Sequence, residues 1–126
     1  MTAASASSSL CDTPQKLFRQ RCREWAGQPA LRHKKKGIWT TTTWGHYFEQ
    51  ARRIGLALAE LGVQRGECIG VLSENRPEWC IADLAIMAAG CITVPTYTTN
   101  TRRDHAHILD NSGARAVIVS TEKLLV

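Results

Sequence analysis

Cys68-Ile69-Gly70-Val71-Leu72-Ser73-Glu74-Asn75-Arg76-Pro77 passes from an unbroken apolar run into a polar turn and then into a proline that can open a helix. The run is short and does not alternate, which reads as a strand covered on both faces. The stretch after Pro77 carries Trp79, Ile81, Ala82, Leu84, Ile86, Met87 and Ala88. It predicts a helix apolar nearly all round, which must be covered on most sides, in part by segments beyond this chain. Gly90 stops that helix, Cys91–Val94 reads as a second strand, and Pro95 closes it. Thr101 with Asp104 three residues on makes a capping box for another helix, Gly113 ends it, and Ala116–Val119 reads as a third strand. The strands start about 24 residues apart with a helix in each gap. Two right-handed crossovers and a parallel sheet follow, so the fold class is α/β with βαβαβ units of an open parallel sheet.

Upstream, the periods change. Thr13-Pro14 opens a helix whose apolar face holds Leu17, Phe18, Cys22 and Trp25, with Gly27 as its stop. Ala30–His33 and Ile38–Thr42 read as a small antiparallel hairpin around the Lys34–Gly37 turn. A longer helix from about Trp44 to Leu61 shows Tyr47, Phe48, Ala51, Ile54, Leu58 and Leu61 on one stripe. Glu49 and Arg53 on the other side are an i,i+4 pair, and Gly62 is the expected left-handed cap. Residues 1–12 begin Ala/Ser-rich, without a basic n-region or apolar core, and read as an unstructured tail rather than a secretory or mitochondrial leader.

Composition sets outer limits. With 44% hydrophobic and 21% charged residues the chain is ordinary globular material. No apolar stretch reaches the ~18 residues of a membrane span. The net charge of +5 is concentrated in part at Arg32–Lys36 and Arg102–Arg103. A solvated hairpin tip explains the first cluster, and contact with phosphate or an anionic membrane is the sharper alternative. Nucleic acid is not expected, because aromatic residues do not interleave with the basic ones. Five cysteines, Cys11, Cys22, Cys68, Cys80 and Cys91, form no Cys-x-x-Cys pair and no zinc spacing. They read as thiols, those at Cys80 and Cys91 buried in apolar runs, in a cytoplasmic protein that can touch a membrane peripherally.

The search for chemistry returns little. Gly66-Glu67-Cys68-Ile69-Gly70 places its glycines before and inside a strand, where a phosphate loop would have to follow one, so these read as turn glycines. His105 and His107 lie two apart on a helix, point to different sides, and read as surface residues. Asp104 and His107 can face each other, which a helix cap explains without catalysis. The loops after the strands, Ser73–Arg76 and Thr96–Asn100, occupy the positions where open α/β sheets hold ligands; helix capping and turn formation account for their polar side chains equally well. No residue is assigned a catalytic, cofactor-binding or metal-binding role.

The order and wording of the segments carry a resemblance. Thr43-Trp44-Gly45, Leu61-Gly62-Val63, Gly66 through Leu72, Ser73-Glu74-Asn75-Arg76-Pro77-Glu78-Trp79, Ala89-Gly90 through Pro95, Tyr97-Thr98-Thr99-Asn100-Thr101 and Ile108 through Arg115 occur collinearly. Together they resemble the opening of AMP-forming acyl-CoA synthetases, and the Tyr97–Asn100 run resembles the long-chain and bubblegum-type fatty acid branch. The resemblance implies that residues 13–126 are the N-terminal part of an AMP-dependent ligase that activates a fatty acid with ATP and Mg2+ as an acyl-adenylate, then transfers it to coenzyme A. It also implies an incomplete subdomain: the phosphate loop, the acidic nucleotide motif and the catalytic lysine of that family match no position here. The chain alone is then expected to be inactive, its principal partner the remainder of the enzyme. Two other readings stand beside it, a non-catalytic α/β interaction module and part of an aryl- or amino-acid-activating relative.

Overall fold

The computed structural model describes residues 12–125, and the expected tail and Cys11 lie outside them apart from Asp12. In chain order the elements are α1 (Pro14–Glu24), β1 (Pro29–Lys35), β2 (Ile38–Thr43), α2 (Trp44–Glu60), β3 (Cys68–Leu72), α3 (Pro77–Ala88), β4 (Ile92–Thr96), α4 (Arg102–Ser112) and β5 (Ala116–Val119), followed by a 3-10 turn at Glu122–Leu125. The α/β reading stands. β1 and β2 form the antiparallel hairpin, and β4-β3-β5 form a parallel sheet with β3 in the centre. Among the described residues no helix is long and apolar enough to cross a membrane.

The strand order fixes where the helices go. β4 lies on one side of β3 and β5 on the other, so two right-handed crossovers place α3 and α4 on opposite faces of the sheet. On one face Ile69 and Val71 of β3 pack with Leu58 of α2, Ile86 of α3 and Cys91. On the other, Leu109 of α4 stands 2.9 Å from where a Cβ on Gly70 would lie. Gly70 is therefore not a turn glycine but the point at which α4 approaches the sheet. Gly66, with φ of 87°, does make a turn.

Three of the helices stop in the same way. In α2 the Gly62 N–H bonds to Ala59 O and the Val63 N–H to Leu58 O, while Val63 packs on the cluster containing Leu58. This is a Schellman cap, and Gly62 takes φ of 82° within it. Gly90 and Cys91 repeat the pattern on Met87 and Ile86, as Gly113 and Ala114 do on Asp110 and Leu109. The cap corrects one boundary: the Cys91 N–H is spent on Ile86 O at 3.0 Å, so β4 starts at Ile92. Pro95 does not close the strand either, and pairs in register with Val71. An edge strand tolerates proline because its outer N–H groups need no ladder partner.

Gly62→Val tests the cap. No atom lies within 4 Å of a Cβ built there, so the cost is backbone strain alone. A β-branched residue at that φ should lower the unfolding free energy by about 1–2 kcal/mol, read as a lower urea midpoint at unchanged slope. An unchanged midpoint would mean the cap does not hold the helix end.

Further differences concern the amphipathic faces. Leu61 is 74% exposed because α2 ends one residue earlier, and Trp25 lies at the edge of the core, under the Arg21 guanidinium at 4.6 Å from its ring. α1 ends at Glu24 with Trp25 as its cap residue, two positions before Gly27. The hairpin strands run longer than expected and meet in a two-residue turn, Lys36-Gly37, with φ of 50° and 81°. Both residues being left-handed is what a tight hairpin with native twist requires. Finally, much of α3 is covered within the described residues, with Trp79, Leu84 and Met87 only half-buried. Ile81, Ala82, Ala85 and Ile86 are buried inside this chain, and only Glu78 and Ala88 of the helix are exposed. The coverage comes from β3 on one side and from Tyr47 and Ala51 of α2, backed by Phe18, on the other.

Candidate functional site

β3 and β5 are neighbours, yet the chain reaches β5 only after going out to β4 on the other side of β3, so the strand order reverses between them. Such a switch point opens a crevice, the usual ligand position in an open α/β sheet. Here it is a cavity of about 160 Å³ lined by Ser73, Arg76, Glu78, Trp79, Ser120 and strand residues. A larger groove of about 510 Å³ runs between α1 and α2, with Phe18, Phe48 and Leu56 along it. It includes Ala88 and Ala89 at the end of α3, and so lies toward the amino ends of the strands. Position in the fold favours the smaller crevice as the place where a ligand edge begins.

The polar residues of the Ser73–Arg76 loop are tied to one another. Glu74 accepts the Ser120 hydroxyl from the far side of the crevice. Arg76 donates from Nε to Glu78 Oε2 at 2.8 Å and lies 4.0 Å from Glu74. The Ser120 hydrogen bond holds the Glu74 carboxyl below its ordinary value, and the Arg76 hydrogen bond does the same for Glu78. Both carboxylates thus favour the folded state above the ordinary value, 4.5, and that preference fades as pH falls through their lowered folded values. The bond between Glu74 and Ser120 spans 46 residues, so nothing local in the sequence could have announced it.

The second loop, Thr96–Asn100, follows β4. Thr96 is buried, and its hydroxyl receives the Asn100 amide at 3.2 Å and meets His105 Nδ1 at 2.8 Å. In the Nε2–H tautomer the hydroxyl donates to Nδ1; in the other it accepts. His105 is therefore a half-buried partner of the strand end, not a surface histidine, whereas His107 is exposed as expected. Thr101 and Asp104 form the expected capping box, with Thr101 N to Asp104 Oδ2 at 2.9 Å. Tyr97, Thr98 and Thr99 are exposed.

These residues do not fit a nucleotide, coenzyme A or a metal ion by themselves. The crevice is smaller than the roughly 300–1,000 Å³ of a ligand pocket, and its cation, Arg76, is already engaged by two carboxylates. Among the described residues no three His, Cys, Asp or Glu side chains cluster as metal ligands. Burial pushes the Cys22 thiol up to about 11 and also raises Cys80 and Cys91, which disfavours the thiolate at these three positions. What the site supplies is a braced frame of two loops at the carboxyl edge of a parallel sheet.

A parallel sheet with helices on both faces and a crevice where the strand order reverses places the protein in the doubly wound α/β class. A family model described as AMP-binding enzyme matches residues 18–125, and the chain belongs to that family. The long-chain-fatty-acid–CoA ligase ACSBG2 of Mus musculus is 30% identical over 113 residues, covering 90% of this chain and 17% of that protein. The long-chain-fatty-acid–CoA ligase FadD15 of Mycobacterium tuberculosis (strain ATCC 25618 / H37Rv) is 38% identical over 86 residues, covering 68% of this chain and 14% of that protein. The chain thus spans about a sixth of the length of these curated relatives. Among solved structures, the N-terminal subdomain of Klebsiella oxytoca NpsA with 3-hydroxyanthranilyl-AMSN superposes with a TM-score of 0.78 at 22% identity, covering 87% of this chain and 27% of that one. A nonribosomal peptide synthetase, FmoA3, gives 0.79 at 28%, covering 88% of this chain and 11% of that one.

Proposed function

We propose that residues 13–126 form the opening part of an ATP-dependent, AMP-forming fatty acid–CoA ligase that works in the cytoplasm. The observation that carries the reading is the family match over 18–125 together with relatives named as long-chain-fatty-acid–CoA ligases. Four unpaired cysteines among the described residues agree with a reducing compartment. In this reading ATP, Mg2+, coenzyme A and the fatty acid are held by segments outside the present chain. The present residues supply three parallel strands and a crevice with the Glu74–Ser120 hydrogen bond at its rim, while the Thr96–His105 contact ties the end of β4 to α4.

An aryl-acid-activating enzyme is the second reading, favoured by the superposition on the NpsA subdomain. Its 22% identity argues for a shared fold, and the fatty-acid relatives are the more similar in sequence.

The test has two arms. The 126-residue chain, incubated with ATP, Mg2+, oleate and coenzyme A, is expected to release no AMP above a no-protein control. Fused to the remaining length of a homologous fatty acid ligase in place of that enzyme's own opening segment, it should restore AMP and oleoyl-CoA formation; fused in the same way to an aryl-acid-activating enzyme, it should restore less of that enzyme's activity. Sustained turnover by the chain alone would overturn the reading, as would restoration of the aryl-acid enzyme only.

A further inference from the structure

Between Glu24 and Glu49 the chain contains no acidic residue, while Arg32, Lys34, Lys35 and Lys36 all fall in that interval. All four are exposed, and none forms an ion pair among the described residues. The hairpin register places Lys35 opposite Ile38 and Lys34 opposite Trp39. Ile38 is 71% exposed and Trp39 66%, large apolar surfaces left in water at the tip of the hairpin. The Lys34 ammonium lies 6.0 Å from the Trp39 ring centre on one face of the hairpin, and Lys35 and Ile38 share the other, so cations and apolar side chains flank the turn on both faces. The tight Lys36-Gly37 turn carries these side chains at the end of the hairpin, while Leu31 at the other end packs on the core.

We propose that this hairpin tip docks on an anionic lipid surface, with the four cations at the headgroups and Ile38 and Trp39 in the interfacial layer. Lysine and arginine beside an anionic leaflet are drawn to its surface potential, and tryptophan favours the depth between headgroup and acyl chain. A nucleic acid would reward the cations but offers Ile38 nothing, and one tryptophan is a poor stacking platform. The proposal uses only the hairpin and does not rest on the enzymatic reading.

Flotation of the 126-residue chain with vesicles tests it, because self-associated protein does not float. The vesicles are phosphatidylcholine alone, or phosphatidylcholine with about a third phosphatidylserine. The chain should float with the anionic vesicles only, and release when salt rises from about 0.1 M to about 1 M, which shortens the screening length from ~10 to ~3 Å. Lys34→Gln with Lys36→Asn should weaken partitioning roughly 30-fold, each cation contributing about fivefold. Asparagine suits the left-handed turn position, and circular dichroism verifies that the variant keeps its fold. Arg102→Gln with Arg103→Gln removes the other basic pair and should leave flotation unchanged. Brominated acyl chains should quench the wild-type chain more than Trp39→Phe, a readout that needs no charge variant. Equal flotation with neutral vesicles would overturn the proposal, as would equal losses in the two double variants or equal quenching of wild type and Trp39→Phe. Binding to polyglutamate that exceeds vesicle binding and ignores Trp39→Ser would assign the patch to an acidic protein instead.

Discussion

Ile86→Ala is expected to lower the unfolding free energy by about 2–5 kcal/mol, the range for emptying a packed aliphatic site. Ile86 is 0% exposed and meets Leu58, Ile69, Val71 and Cys91 where α2, α3 and β3 converge. The neighbours are held by a sheet on one side and a second helix on the other, so the cavity has little freedom to close. Net stability of a domain is only about 5–15 kcal/mol, and the variant would therefore sit near the threshold of folding. The melting midpoint should fall by roughly 10–20 °C relative to the parent chain at the same concentration. Leu61→Ala is the control, since Leu61 is also a large aliphatic side chain but lies at the end of α2 and is 74% exposed. Its midpoint should stay close to the parent's, within an effect of about 0.5 kcal/mol. Equal shifts in the two variants would contradict this account of the core.

The second large effect concerns the state of the chain in solution. Purified alone at micromolar concentration, it should elute larger than a monomer. Among the described residues β5 pairs only with β3, leaving one side of Ala116–Val119 open to another chain. Unlike β4, it carries no proline to blunt that edge. The same side of the molecule is thinly covered, for α4 contains no buried residue and Val117 is 38% exposed. A net charge of +5 slows association without pairing the strand edge. Size-exclusion chromatography with light scattering reads the outcome directly. A sharp monomer peak with a cooperative melt above about 60 °C, near the upper range for mesophile domains, would reject the prediction and favour a self-sufficient module.

These two predictions rest on information of different kinds. The identity of the elements was legible because each is announced locally. Thr13, Thr43 and Thr101 accept backbone N–H groups at their helix starts, and Gly62, Gly90 and Gly113 take the positive φ that ends a helix. Boundaries were less legible where two local signals competed, as at Cys91, whose N–H is claimed by the helix cap before the strand can use it. The crevice was legible in position only. That loops follow β3 and β4 could be read directly, but the fate of their polar atoms could not: Glu74 is satisfied by Ser120, and Thr96 by His105 as well as by its close neighbour Asn100.

By itself, then, the sequence determined the helices, the strands, the parallel βαβαβ class and the family, because propensity, capping chemistry and hydrophobic period act over a few residues and recur collinearly. Tertiary structure alone decided that β3 is central, that α2 and the sheet bury four residues of α3 while none of α4 is buried, and that Gly70 is the contact point for α4. Strand order and face coverage are set by which apolar surfaces meet after the chain has turned back on itself. Leu58 and Leu61 fall on one apolar stripe in the sequence, yet packing on Ile69, Val71 and Ile86 buries the first, while the second lies past the end of α2 in water.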